Sequence, residues 1–138
     1  MGDHSAVVLI DGRPHVFYRG LQTPRHAYYN GLFWAFETLD GEGGPHGRTN
    51  ANVGAFNAVV LYGGRPHVFY QDATNRNLRH AYFTGTAWGF ETLDGAGGPN
   101  GRIVADTGLT NAAVSNWGRP EVFYYDRTGG NLRHAWFG

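Results

Sequence analysis

The sequence predicts an all-β fold, a β-propeller of four-stranded antiparallel blades with about three blades per chain, the last one incomplete. Three observations predict it: an internal repeat, short aromatic and β-branched runs between turn residues, and a composition rich in glycine and poor in charge. Ala6-Val7-Val8-Leu9 returns as Ala58-Val59-Val60-Leu61 and, more loosely, as Ala112-Ala113-Val114-Ser115. The run Gly12-Arg13-Pro14-His15-Val16-Phe17-Tyr18 returns at residues 64–70 and again at 118–124, where Glu121 takes the place of the histidine. Arg25-His26-Ala27-Tyr28 returns as Arg79-His80-Ala81-Tyr82 and Arg133-His134-Ala135-Trp136, at intervals of 54 residues. Trp34-Ala35-Phe36-Glu37-Thr38-Leu39-Asp40 returns once, as Trp88-Gly89-Phe90-Glu91-Thr92-Leu93-Asp94.

Within the second copy the first strand is expected over about Asn57 to Tyr62, and Gly63-Gly64 turns it into a second strand from Pro66 to Gln71. A turn cluster at residues 72–77 leads to a third strand from Leu78 to Phe83, and Thr84-Gly85-Thr86 turns into a fourth over about Ala87 to Leu93. These runs are too short for helices. The blades then fall at about residues 6–40, 58–94 and 112–138 of a single domain, 1–138, with Gly-rich linkers at 41–57 and 95–111. One blade cannot bury both of its faces, so neighbours must stack, and the innermost strand should carry small residues, as the Ala and Val of each first strand do. A β-sandwich or β-prism is the rival arrangement; its strands need not repeat. The third copy has no fourth strand, so the expected ring closes by oligomerisation. Two chains would supply six blades and three would supply nine, against a usual range of about four to eight, which favours a homodimer.

Composition narrows the function classes. Apolar residues make up 41% of the chain and charged residues 16%, enough for a packed core. Eleven basic and 11 acidic residues cancel, so no basic field invites a nucleic-acid partner, and no apolar run suggests membrane insertion. There is no cysteine to form a disulfide or a thiolate metal site. Nothing at residues 1–5 resembles a signal core; localisation stays open, with a secreted or extracellular natural parent allowed.

The run Gly-Arg-Pro-His-Val-Phe-Tyr, then Asp72-Ala73-Thr74-Asn75, then Asn77-Leu78-Arg79-His80-Ala81-Tyr82, then Gly85-Thr86-Ala87-Trp88-Gly89-Phe90-Glu91-Thr92, resembles tandem bacterial propeller repeats. Its layout is similar to that of the fucose-binding propeller lectins, the Photorhabdus-type and Aleuria-type families. The resemblance covers almost the whole chain and lies in blade layout and aromatic placement. It implies sugar sites between adjacent blades and rings assembled from short chains. The blades here are longer, because of linkers such as residues 41–57.

Arg25, Arg79 and Arg133, with Tyr28, Tyr82 and Trp136 three positions on, form the first candidate ligand set. A guanidinium donates several hydrogen bonds to hydroxyls while an aromatic ring packs on the C–H face of a pyranose. The competing reading is that Arg79 and His80 repeat because they brace each blade against the next. Trp34 and Trp88 are the second candidate. Glu37 and Glu91 follow them by three positions, on the opposite face of the same strand, so a tryptophan and a glutamate can meet only across a cleft between blades. The plainer alternative is a tryptophan covering the blade beside a solvated glutamate. His15, His67 and Glu121 would make a legal zinc shell, but they occupy equivalent places in separate blades, away from the axis, and no metal or other cofactor is expected. The linkers lack the carboxylates of a calcium loop and the Lys-Ser/Thr of a phosphate loop.

Catalysis has little support, since unlike groups in one place should break the repeat and the unrepeated polar residues form no set. The expected function is therefore non-enzymatic carbohydrate binding, with fucose-containing glycans as candidate partners and equivalent, individually weak sites in the inter-blade clefts. The alternatives are a designed, reconstructed or excised propeller fragment acting as a self-assembling scaffold without a ligand, and a glycosidase-like propeller.

Overall fold

A computed structural model describes residues 2–137. Eleven strands and no helix occur among these residues. The first sheet holds β1 (Asp3–Ile10), β2 (Arg13–Arg19), β3 (Pro24–Tyr29) and β4 (Trp34–Thr38) in chain order. The second holds β5 (Val53–Tyr62), β6 (Arg65–Asp72), β7 (Asn77–Phe83) and β8 (Trp88–Asp94), again in chain order. The third holds β9 (Leu109–Asn116), β10 (Arg119–Asp126) and β11 (Asn131–Trp136). Every pairing between these strands is antiparallel, and the registers repeat: Tyr18 lies opposite Arg25 as Tyr70 does opposite Arg79 and Tyr124 opposite Arg133. Three such meanders with their first strands side by side, β5 touching both β1 and β9, are compatible with the blades of a propeller.

The inner strands approach closely because each carries a bulge. Gly54 and Gly108 have φ of +99° and +82°, and the residues two places on, Phe56 and Thr110, are also left-handed. A Cβ on Gly54 would lie 2.7 Å from the Pro24 nitrogen, and one on Gly108 would lie 2.8 Å from the Leu78 Cα. Glycine thus lets each inner strand touch the sheet before it. The bulge also extends β5 to Val53, four residues before the start expected from the aromatic pattern, with Val53 opposite Asp72 and Ala55 opposite Gln71.

Two cores lie between the sheets. Phe17 and Leu39 of the first repeat pack on Val68, Tyr70, Ala81, Trp88 and Phe90 of the second. Val60, Phe69 and Leu78 then pack on Val122 and Tyr124 of the third. The face of β6 to β8 covered by the first sheet corresponds to a face of the first sheet that is open: Val7, Leu9 and Phe36 there are each more than 60% exposed. The linkers fold as compact loops pinned by an aspartate. Asp40 Oδ1 accepts from the Gly41 and Thr49 amides, and Asp94 Oδ1 from the Gly95 and Ile103 amides.

Candidate functional site

Strand alternation places His15 on β2, His26 on β3 and Glu37 on β4 on the face of the first sheet that looks toward the second. Their side chains form a hydrogen-bonded row. His15 Nδ1 is 2.9 Å from His26 Nε2, and His26 Nδ1 is 2.6 Å from Glu37 Oε1. Phe17 stacks on His26 with ring centroids 4.5 Å apart, and Tyr28 stacks on His15 at 5.5 Å. From the second sheet the Trp88 indole N–H donates to the same Glu37 oxygen at 3.1 Å. A tryptophan and a glutamate from different repeats therefore do meet.

The row borders a cleft of about 600 Å³ between the first two sheets. Its other walls include His46 and Arg48 from the first linker, Arg65 at the start of β6, and the turn at Gly85 and Thr86. Arg48 also lies 4.8 Å above the Phe90 ring.

The electrostatics give the row a direction. Burial raises the Glu37 pKa, but the hydrogen bond and charge of His26, the Trp88 N–H and Arg48 outweigh it and hold the carboxyl below its ordinary value. An ionised carboxylate only accepts, so His26 Nδ1 carries a proton. With the imidazoles neutral, His26 Nε2 accepts from His15 Nδ1–H, which leaves His15 Nε2 as a bare acceptor. Burial, then the neighbouring His26, lowers the His15 pKa, so the ring gains a proton only below its ordinary range. His15 then turns its Nε2–H outward as a donor.

The row recurs in altered form. In the second sheet His67 Nδ1 is 2.8 Å from His80 Nε2, and His80 Nδ1 is 3.1 Å from Glu91 Oε1. Among the described residues no indole bonds to Glu91; Tyr62, Tyr82 and Phe137 border the adjoining cavity, and Trp136 borders a small pocket of about 60 Å³ beside Glu91 and His80. In the third sheet Glu121 accepts from His134 Nε2 at 3.1 Å in place of the outer histidine. The clefts are therefore not equivalent, contrary to the expectation from the repeat.

Of the residues singled out in the sequence, Tyr28 and Trp88 border the first cleft and Tyr82 the cavity of the second sheet. Trp88 is only 7% exposed, so it forms a wall more than an open platform. Trp34 lies on the open face of the first sheet, edge-on to Tyr29, and Trp136, the last residue of β11, is exposed and borders a small pocket with Glu91 of the second sheet. Arg79 is buried between the sheets, where Asp40 Oδ2 and the Gly47 carbonyl take its donors; Arg133 does the same with Asp94 and Gly101. These two arginines brace neighbouring repeats and do not border the first cleft. Arg25 donates to Thr38 Oγ1, while its Nε is buried without a partner. The His15–His26–Glu37 row was missed, although its signal was present: all three residues repeat as His67, His80 and Glu91. Among the described residues, no three His, Asp or Glu side chains are grouped to hold a metal.

Compared with known proteins, the chain matches no family model, no curated protein and no solved structure.

Proposed function

We propose that the chain is a non-enzymatic carbohydrate-binding protein whose principal site is the cleft between the first two sheets. The observation that carries this reading is the pairing of aromatic walls, Tyr28 and Trp88, with a polar row ending at the outer nitrogen of His15. A pyranose offers the same two surfaces, an apolar C–H patch and hydroxyls that both donate and accept. Arg48 and Arg65 add donors at the rim. Fucose-containing glycans are the first ligands to try, on the resemblance in blade layout. Calorimetry with fucose and other monosaccharides, beside a His15→Ala variant, tests the proposal. Saturable binding lost in the variant supports it; no binding to any sugar, or turnover of one, overturns it.

A specific observation favours self-association as a second property. Asp40 receives Tyr70 and Arg79, and Asp94 receives Tyr124 and Arg133, but the equivalent Tyr18 and Arg25 meet no carboxylate among the described residues. That unfilled socket sits on the open apolar face of Val7, Leu9 and Phe36. A second copy covering this face, in a ring of blades, would bury apolar patches that stay exposed in a lone chain. Light scattering that finds a stable folded 15.2 kDa species at micromolar concentration overturns it.

A further inference from the structure

We propose that the first cleft selects a sugar bearing a carboxylate, a uronic acid, and that Arg65 is the residue that reads the acid group. The inference rests on the carbohydrate reading of that cleft and adds the charge of the ligand.

The cleft lies between two sheets of four strands each, and its lining is unequal in charge. Two guanidiniums, Arg48 and Arg65, border it against one carboxylate, Glu37. Glu37 is already engaged, since one of its oxygens accepts from both His26 and the Trp88 indole. Among the described residues neither arginine lies within ion-pair distance of a carboxylate.

Neutral groups fix both guanidiniums instead. Arg48 donates from Nε to the Leu39 carbonyl and from Nη1 to the Pro45 carbonyl, and it lies over the Phe90 ring. Its charge also helps to keep Glu37 ionised, so it already has a use within the wall. Arg65 donates from Nη1 to the Thr84 carbonyl, across the turn between β7 and β8. Gly85 in that turn has φ of +106°, and a Cβ there would lie 2.9 Å from Arg65 Nη2. The bare glycine thus lets the guanidinium rest on the turn. Its Nε–H and Nη2–H edge has no protein acceptor among the described residues, and the side chain is exposed.

That edge presents two parallel N–H groups, the pattern that a planar carboxylate accepts. Because the turn holds the side chain, less rotamer freedom remains to be lost on binding. A hydroxyl would leave the charge unanswered. A uronic acid offers its C–H patch to Tyr28 and Trp88, hydroxyls to His15 and a carboxylate to Arg65, all of which border one cleft.

The first sheet supplies an internal comparison. Arg13 donates from Nη1 to the Asn30 carbonyl at 2.7 Å, and a Cβ on Gly31 would lie 2.8 Å from Arg13 Nη2. The turn clamp is therefore common to both sheets, whereas of the two arginines Arg65 is the one that borders the cleft. Arg65 also borders the cavity of the second sheet, so it stands at the divide between the two spaces.

The test is calorimetry of the intact chain with galactose, glucose, their uronates and the neutral methyl esters of those uronates, at low and high salt. Fucose is measured alongside. One uronate is expected to bind at least about tenfold more tightly than its neutral sugar and its ester. Salt should narrow that gap, because the site is open to solvent. Arg65→Gln should remove the gap, and Arg65→Lys, which keeps the charge without the fork, should retain only part of it. Arg13→Gln loses the same turn clamp and should keep the full preference, so it separates a structural loss from a lost contact. Acetate, a carboxylate without the ring, should fail to displace the uronate at equal concentration. Equal affinity for acid, ester and neutral sugar overturns the inference and leaves the carbohydrate reading standing. A preference that survives Arg65→Gln, or that Arg13→Gln removes as well, overturns it too, as does displacement by acetate. If none of these sugars binds, the inference falls, and the fucose measurement decides whether the carbohydrate reading falls with it.

Discussion

Asp40, which follows β4, and Arg79, in the middle of β7, form a buried ion pair at 2.9 Å that ties the first sheet to the second. The relationship recurs 54 residues along, where Asp94 meets Arg133 at 2.8 Å and ties the second sheet to the third. A tyrosine completes each triad: Tyr70 donates to Asp40 and Tyr124 to Asp94. Burial, then the Asp40 carboxylate, holds the Tyr70 hydroxyl protonated well above its usual range. Each aspartate uses its other oxygen to pin the following linker, so one side chain sets both the spacing of the sheets and the fold of the loop between them.

Removing Asp40 leaves a guanidinium buried without a counter-charge. Asp40→Ala is expected to destabilise by about 3–5 kcal/mol, as for a broken buried pair. Asp94→Ala should cost less, because the Arg133 side chain is 26% exposed against 7% for Arg79 and can take up water. Urea unfolding of the two variants checks the order; equal losses would remove the distinction.

Equivalent tryptophans should behave differently. Trp88 is 7% exposed and packs in the core between sheets, so Trp88→Ala should cost about 3–5 kcal/mol. Trp34 holds the same place in the first sheet but is 45% exposed, so Trp34→Ala should cost well under half as much in the isolated chain. If assembly covers that face, the Trp34 variant should instead shift the association equilibrium. Melts at two protein concentrations separate these outcomes.

Stability should fall on mild acidification through His67. Burial, then the neighbouring His80, lowers its pKa from 6.5 to about 4, partly offset by Glu91. The unfolded chain therefore binds the proton more tightly than the folded one. The stability tied to a neutral His67 is whole above pH 6.5 and drains away as the pH falls from 6.5 toward about 4. His67→Gln should flatten that part of the profile, as read by urea midpoints at a series of pH values. An unchanged slope would assign the loss to other groups.

The repeat made the sheets legible because strand and turn chemistry are local: Gly63-Gly64 and the alternation of Val68 and Tyr70 specify a hairpin without reference to the rest of the chain. The bulge at Gly54 was not legible, since nothing nearby shows that a left-handed residue will let β5 run four residues further. The role of Arg79 was ambiguous for a different reason. Its partner Asp40 lies in the preceding repeat, and a residue that repeats reads alike whether it holds a ligand or a neighbour. The His15–His26–Glu37 row escaped because its members are spread over three strands of one sheet. Their periodicity is visible only once register brings Phe17 opposite His26 and His26 opposite Glu37.

The asymmetry of the clefts leads to the last prediction. Among the described residues only the first has an indole hydrogen bonded to its glutamate, and it combines Tyr28 and Trp88 with linker residues such as Arg48. One principal site per chain is therefore expected, with a monosaccharide affinity in the millimolar-to-micromolar range, roughly −4 to −8 kcal/mol. His15 Nε2 should accept from a sugar hydroxyl while His15 is neutral, and donate after His15 gains a proton below its ordinary range. A hydroxyl does either, so binding should survive acidification; a ligand with only acceptors at that point should bind better at low pH and one with only donors worse, by the roughly 0.5–1.5 kcal/mol of one hydrogen bond. Calorimetry at pH values on both sides of the transition, using fucose and a deoxy-fluoro analogue that keeps only the acceptor, reads this directly. Replacing His15 by Gln, whose amide does not titrate but both donates and accepts, should abolish the pH response of the analogue while leaving fucose binding measurable. A pH response that persists in the His15→Gln variant would show that the proton is taken up elsewhere, and two equal sites per chain would show that the indole over Glu37 does not distinguish the first cleft.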